Sequence, residues 1–164
     1  SLKFVTPSKL FDHTGKSVAA TWTEGTFGCN RTLDTGAGGY PSISGTHNGT
    51  ITPNRTVEVQ TLYTYPCAGT GGHAEYAKFY NDTWSIESVQ WVGYQGDWHN
   101  LTFPKSFKLH ANEEYSYTIR TGSYPQIHHT NNLSTPTGFI TCSEFTDANG
   151  KRYTDRIPAI KLFL

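Results

Sequence analysis

The stretch that decides the fold runs from Trp98 to Arg120 and reads WHNLTFPKSFKLHANEEYSYTIR. Apolar residues alternate with polar ones on both sides of a polar turn at 111–114, namely at Leu101, Phe103, Phe107, Leu109, Tyr115, Tyr117 and Ile119. A period of two places alternate side chains on one face of a pleated strand. We therefore predict strands that each present one face to a core and the other to solvent.

The first of these strands also begins with an N-glycosylation sequon, Asn100-Leu101-Thr102. Strict alternation that buries Leu101 turns Asn100 and Thr102 toward solvent together. Lys105 shares the parity of Leu101, so we expect Pro104 to interrupt the strand there and to release the lysine from the core.

Composition extends the β prediction to the whole chain. Charged residues make up only 16% of the 164 residues, whereas Thr, Ser, Gly and Tyr are abundant, as suits pleated surfaces and turns. No segment holds a helical period long enough for a confident helix. We predict a single extracellular domain over residues 1–164, an all-β, two-sheet antiparallel sandwich of the jelly-roll type with about ten strands.

The main strands are predicted from alternation and from the turn residues between them. They cover Thr56–Tyr65, Ala74–Tyr80, Thr83–Val92, Phe139–Phe145 and Ala159–Leu164. Residues 124–137 are predicted as a long polar loop, and Asn149-Gly150 is the strongest hairpin signal.

Charge and hydropathy exclude two classes of partner. Thirteen basic and thirteen acidic residues give no net charge and no basic run, so we expect no nucleic-acid partner. No apolar run approaches the roughly 20 residues of a membrane helix. The chain has no Met, so we expect either a removed secretion leader or a piece of a longer surface protein.

Six sequons are the clearest functional signal, at Asn30, Asn48, Asn54, Asn81, Asn100 and Asn132. Chance alone would give about two in a chain with nine Asn and 36 Ser plus Thr. A Thr-rich β-protein can also generate sequons by accident. The excess favours N-glycans at these six side chains and a solvent-facing position for each.

The three cysteines, Cys29, Cys67 and Cys142, imply one disulfide and a leftover thiol, or an intermolecular bridge. Cys67 follows a predicted strand and Cys142 lies within one, which favours a Cys67–Cys142 disulfide with Cys29 free. No base can be assigned to Cys29 as a nucleophile.

Catalytic and zinc motifs are absent from the sequence. The seven histidines are scattered without zinc spacing, no GxSxG elbow occurs, and no carboxylate pair lies in a glycosidase-like motif. We therefore predict that the protein is not an enzyme.

Structural calcium is the one cofactor that the sequence suggests. Asp147, Asn149 and Asp155 offer oxygen ligands around a tight turn, although the full EF-hand pattern is lacking. A plain β-hairpin explains the same residues equally well.

The aromatic residues raise the possibility of sugar binding, because a ring face can stack on a sugar while polar groups around it fix the orientation. Trp22, Trp84, Trp91 and Trp98 are the candidates. Trp84 and Trp91 fit the core, whereas Trp98 follows a Gly-containing turn and is the one expected at the surface.

Several segments resemble a module of secreted and cell-surface proteins of euryarchaea, namely LYTYPCAGTGGH, GDWHNLTF, YSYTIRTGSYPQIHH and FTDANGKRYTDRIPAI. The resemblance covers Thr56 to Leu164. It implies an archaeal extracellular setting, a sandwich fold and a pairing of the positions that match Cys67 and Cys142.

Two functional hypotheses follow. The first is an N-glycosylated structural protein of an archaeal cell surface that binds copies of itself in a filament, sheath or coat, with the strand-like termini LKFV and AIKLFL exchanged between subunits. The alternative is a carbohydrate-binding module of a secreted or surface protein, with Trp98 in its site.

Overall fold

The structure is a computed structural model that describes residues 10–11, 17–18 and 32–164. The chain divides into two units, Ser1–Asn30 and Arg31–Leu164. In the first unit, β1 (Leu10–Phe11) and β2 (Ser17–Val18) pair in antiparallel fashion. The prediction of one domain over residues 1–164 stays a prediction.

The second unit is built from strands, and residues 32–164 contain fifteen strands and no helix. In chain order they are β3 (Leu33–Asp34), β4 (Tyr40–Pro41), β5 (Gly45–Pro53), β6 (Val57–Thr64), β7 (His73–Tyr80), β8 (Ser85–Glu87), β9 (Asn100–Leu109), β10 (Tyr115–Gly122), β11 (Gln126–His128), β12 (Asn132–Thr135), β13 (Gly138–Thr141), β14 (Glu144–Asp147), β15 (Arg152–Tyr153), β16 (Ile157–Pro158) and β17 (Ile160–Phe163).

These strands form three sheets, and every pairing between them is antiparallel. The largest has eight strands in the order β12-β13-β5-β10-β7-β8, with β14 also on β5 and β15 on β14. A four-stranded sheet has the order β3-β17-β6-β9, and a three-stranded sheet the order β16-β11-β4. The prediction of an all-β, antiparallel fold is confirmed, and the strand count exceeds the predicted ten.

The buried side chains of the eight-stranded and four-stranded sheets form one hydrophobic cluster. Phe79 of β7 lies 5.9 Å, between ring centroids, from both Phe103 and Phe107 of β9. Tyr117 of β10 and Leu62 of β6 are fully buried in the same cluster. The alternation in the opening stretch therefore has its predicted effect, because its apolar set faces this core.

A bulge in β9 resolves the position of Lys105. Between Thr61 and Val59 of β6, the partner residues on β9 jump from Thr102 to Phe107. The extra β9 residues leave the ladder, and Lys105 is exposed. Contrary to the prediction, β9 is not interrupted at Pro104. Lys105 does stay out of the core, as predicted.

Two predicted strands and one predicted loop differ from the structure. Of Thr83–Val92 only Ser85–Glu87 is a strand, and the positive φ of Gly93 and Gly96 fits the loop that follows. Phe139–Phe145 is split into β13 and β14, and the predicted loop 124–137 contains β11 and β12.

The C-terminal strand lies within its predicted bounds, Ala159–Leu164. β17 pairs with β6 on one side and with β3 on the other. Both backbone edges are thus used within the chain, and the exchange of AIKLFL between subunits stays a prediction. The other terminal segment, LKFV, lies outside the described residues. Across the described part of the chain, no helix has the length and apolar character to cross a membrane.

Candidate functional site

Three loops, the third together with the strand residues beside it, meet at one end of the strands. They form what we call the loop cluster, residues 65–72, 88–99 and 121–126, in which 121–122 end β10 and 126 begins β11. The amide of Gln126 donates to the Tyr65 carbonyl oxygen at 2.8 Å, and the His99 ring donates through Nδ1 to the Gly72 carbonyl oxygen at 2.7 Å. Gly72 permits this packing, because a Cβ there would lie 2.9 Å from the Tyr124 carbonyl oxygen and from the Pro125 Cα.

Aromatic rings fill the loop cluster. The His73 and Trp91 rings are stacked, with centroids 4.0 Å apart and planes 12° apart. Tyr94 meets Trp91 edge-on at 5.1 Å and Trp98 at 5.9 Å, and Trp98 lies 5.2 Å from His99. Tyr94 is 54% exposed, whereas both tryptophans are half-buried. Tyr94 is therefore the exposed member of this group of rings, and the Trp91 and Trp98 rings pack against it.

This geometry changes the predicted role of Trp98. It is half-buried, and its indole nitrogen is buried without a hydrogen-bond partner in the described part of the chain. Tyr94 and Tyr124 are the exposed aromatic residues of the loop cluster that sequence reasoning missed. The place of Tyr94 between Gly93 and Gln95-Gly96 was a signal. Trp84 and Trp91 pack against the core as expected, and Trp22 lies outside the described residues.

The backbone beside Tyr94 is strained. Ser123 and Tyr124 have φ of 56° and 58°, values that cost a non-glycine residue of order 1–3 kcal/mol each. The Tyr94 and Ser123 hydroxyls are hydrogen-bonded, and the Tyr124 carbonyl oxygen accepts from the Thr70 hydroxyl at 3.1 Å. Such outliers concentrate at functional sites, and this pair leaves Tyr124 55% exposed.

A polar pocket of about 470 Å³ adjoins Ser123. The Arg120 Nε lies 3.5 Å from Glu75 Oε2, and His73 Nε2 lies 3.2 Å from Glu75 Oε1. The Arg120 guanidinium also lies over the Tyr76 ring, at 5.6 Å from its centroid. Thr46 and Thr146 add hydroxyl groups to the lining, so the pocket combines donors and acceptors beside an exposed ring.

Two of the predicted calcium ligands, Asp147 and Asp155, bind other groups of the protein in the structure. Asp147 Oδ1 accepts hydrogen bonds from the amides of Asn149 and Lys151, each at 2.9 Å. Asp155 pairs with Arg156 at 2.9 Å. The Asp147 contacts belong to the hairpin predicted at Asn149-Gly150, which is confirmed with Gly150 at φ 81°, whereas Asp155 lies beyond its second strand. Within residues 32–164, no three His, Cys, Asp or Glu residues are placed to hold a metal ion.

Three of the sequons lie at exposed asparagines, Asn54, Asn81 and Asn132. At Asn81 the side-chain oxygen accepts from the Thr83 amide at 3.0 Å, in an Asx turn. In contrast, the Asn54 and Asn132 amide nitrogens donate to neighbouring oxygens at 2.7 and 2.9 Å. The sixth predicted site, Asn30, lies outside the described residues.

The other two sequons are half-buried. Asn48 lies in β5 between β10 and β14, and its side-chain oxygen accepts from the Thr118 hydroxyl at 2.7 Å. Asn100 donates to Asp97 Oδ2 at 2.6 Å, and its own side-chain oxygen is buried. Thr102 is exposed as predicted, so only one end of that sequon faces solvent fully.

The predicted Cys67–Cys142 disulfide is wrong, because both residues are free thiols. Cys67 belongs to the loop cluster, where its amide bonds to the Tyr124 carbonyl oxygen at 3.3 Å. Cys142 is buried beside the middle of β5. The residue that follows it, Ser143, donates its backbone amide to the Asn48 carbonyl oxygen of β5. Burial raises the pKa of both thiols, which favours the unreactive protonated form.

Comparison of the chain with models of protein families, with curated proteins and with solved structures gave no match in any of the three. The resemblance to a euryarchaeal module therefore stays a prediction, and the argument for function depends on the site itself.

Proposed function

We propose that this chain is an N-glycosylated, extracellular carbohydrate-binding module whose site is the loop cluster with its adjoining pocket. We further propose that its two larger sheets form a sandwich of the jelly-roll type. The observation that carries the functional proposal is Tyr94, an exposed ring held by other rings and by Ser123 at the edge of a polar pocket. The extracellular setting follows from the sequons and from the resemblance to archaeal surface proteins.

The chemistry of the site suits a sugar. A sugar ring has an apolar face that stacks on an aromatic ring and hydroxyl groups that need donors and acceptors around it. Tyr94 offers the ring face, and Glu75 with Arg120 offers the polar groups. A ring that is already held in place loses little conformational entropy when a ligand binds.

The positions of two exposed sequons are compatible with this use of the loop end. β5 and β7 begin at the pocket end with Gly45 and His73, and they end just before Asn54 and Asn81. Strands of eight and nine residues span about 25 Å. N-glycans at Asn54 and Asn81 would therefore leave the loop cluster open to a ligand.

Affinity electrophoresis in gels that contain soluble polysaccharides tests the proposal. Mobility should fall in at least one polysaccharide, and Tyr94→Ala should restore the mobility seen without it. Tyr40→Ala is the matched control, because Tyr40 is 56% exposed outside the loop cluster. Unchanged mobility in a broad panel of neutral and anionic polysaccharides would refute the proposed function.

A second candidate is the self-assembling structural protein of a cell surface, as a filament, sheath or coat. The observation that favours it is β9, a ten-residue strand whose only strand partner in the described part of the chain is β6. Such an edge can accept a strand from a second copy. Pro104, Lys105 and the bulge oppose indiscriminate pairing, so a partner would have to match this edge.

Negative-stain microscopy of the native material separates the two candidates. Filaments or sheets that dissociate when Ser106, an exposed β9 residue outside the Asn100 sequon, is replaced by proline would favour assembly through β9. A monodisperse monomer at high protein concentration would rule out the structural role.

A further inference from the structure

We propose that the Glu75–Arg120 pair makes the site selective for neutral sugars that carry hydroxyl groups on adjacent carbons. This inference rests on the proposed carbohydrate-binding function and names its ligand class. One hydroxyl would donate to the Glu75 carboxylate, and its neighbour would accept from the Arg120 guanidinium.

Both side chains of the pair are fixed before a ligand arrives. Glu75 Oε2 lies 3.5 Å from Arg120 Nε. Its Oε1 lies 3.2 Å from His73 Nε2, which donates to it when both ring nitrogens carry protons, because Nδ1 already donates to the Gly71 carbonyl oxygen at 2.7 Å. Arg120 is also positioned over the Tyr76 ring. Even so, 36% of the Glu75 side chain and 55% of the Arg120 side chain remain exposed. The pair is therefore oriented and still accessible.

The two members of the pair have complementary hydrogen-bonding capacity. An ionised carboxylate only accepts, and a guanidinium only donates. A hydroxyl group can do either, so two neighbouring hydroxyls satisfy both partners at once. A hydroxyl-poor ligand would leave one partner without a bond, which lowers affinity.

The charges of the pocket argue against anionic sugars. Glu75 and Asp147 contribute two carboxylates to the lining, and Arg120 is the one cation among the lining residues. Asp147 is 8% exposed, its Oδ1 accepts from turn amides and its Oδ2 accepts from the Tyr153 hydroxyl at 3.3 Å, so Glu75 is the carboxylate that a ligand meets. A uronate or sulfate group that approached Arg120 would also meet the Glu75 carboxylate beside it, which makes it a poorer ligand than a neutral hydroxyl.

The polar pair and the stacking ring belong to one continuous surface. Ser123 lines the pocket, and its hydroxyl is bonded to the Tyr94 hydroxyl. Gly122 brings the backbone close to the pair, since a Cβ there would lie 3.0 Å from Glu75 Oε1. The stacking ring therefore adjoins the pocket that contains the pair.

Affinity electrophoresis and calorimetry of the full chain test this inference with two neutral polysaccharides, laminarin and mannan, and two anionic ones, polygalacturonate and alginate. We expect binding to a neutral polymer and none to the anionic ones. Glu75→Gln and Arg120→Gln should each weaken that binding roughly tenfold or more, the effect of a lost hydrogen bond to a charged group. Glu114→Gln is the matched control, because Glu114 is exposed just before β10, at the opposite end of that strand from Arg120.

The possible outcomes distinguish this inference from the proposed function. Binding to anionic polymers that is lost in Tyr94→Ala would preserve the carbohydrate-binding function and overturn the neutral-sugar selectivity. Neutral binding that is unchanged in both pair variants, with thermal unfolding like that of the control, would also overturn the selectivity. Absence of binding to all four polymers would overturn both.

Discussion

Replacement of His47 should remove a large part of the acid sensitivity of this fold. His47 is fully buried in β5 and stacks on Phe145, with ring centroids 4.3 Å apart. Its Nδ1 donates to the Arg156 carbonyl oxygen at 3.0 Å, while Nε2 is buried without a hydrogen-bond partner in the described residues. Protonation would place a charge and an unpaired N–H at Nε2, which is unfavourable in the core.

The size of the effect follows from the pKa. Burial lowers the pKa of His47 from 6.5 to about 4. The unfolded chain takes up a proton as the pH falls below 6.5, but the folded chain does not until about pH 4. The contribution of His47 is therefore fully present above pH 6.5 and is lost between pH 6.5 and 4. At pH 4 the loss is about 3 kcal/mol of unfolding free energy.

Urea unfolding at a series of pH values between 4 and 7.5 measures this contribution. The wild type should lose about 3 kcal/mol more than His47→Asn over that range, although the variant is less stable at neutral pH because of the space it leaves. His110→Asn is the control, because it makes the same substitution at an exposed histidine. Equal losses in the wild type and His47→Asn, with unchanged m-values, would refute the argument.

Three further predictions concern packing, thiols and glycans. Gly49→Ala should cost about 1–3 kcal/mol in urea unfolding, because its Cβ would collide with a backbone carbonyl oxygen of β13; Gly39→Ala, with open space around it, should not. The Cys142 thiol should resist alkylation until the protein unfolds, and a non-reducing peptide map with Cys142 in a crosslink would contradict the structure. Glycopeptide mass spectrometry of native material should show higher occupancy at exposed Asn81 than at half-buried Asn48, and the reverse order would count against solvent access as the deciding factor.

The strands that alternation predicted well are those in which packing and hydrogen bonding agree. β9 buries one parity against the shared core throughout and β10 does so from Tyr115 to Thr121, whereas β6 changes parity between Val59 and Leu62, beside the bulge. A period of two is therefore visible in the letters of β9 and β10 and in each half of β6. The segment 88–92 looks equally apolar, but Trp91 buries its ring against His73 in a loop. The spacing of apolar residues cannot distinguish an aromatic ring buried in a loop from one buried on a β-strand, because both remove apolar area from water.

The site was harder to predict than the sheets because its members are distant in sequence. Trp98 pointed to the loop that also carries Tyr94, but the position of the Tyr94 ring depends on Ser123 and on the approach of Gly72 to Tyr124. The short strand pairs in 124–137 also depend on distant partners, such as the pairing of Gln126–His128 with residues 157–158. The disulfide prediction failed for a similar reason, since strand membership says nothing about the distance between two thiols.

The loops of the loop cluster connect strands of both large sheets, and this arrangement suits a binding site. Its three loops connect β6 to β7, β8 to β9 and β10 to β11, and β6 and β9 belong to one sheet whereas β7, β8 and β10 belong to the other. Rigid strands on both sides fix the ends of each loop, so the strained pair Ser123 and Tyr124 can be held in place by the fold. Irregular segments on a rigid scaffold are where binding residues concentrate. The same scaffold places Asn54 and Asn81 at the far ends of β5 and β7, where bulky N-glycans would not compete with a ligand at Tyr94.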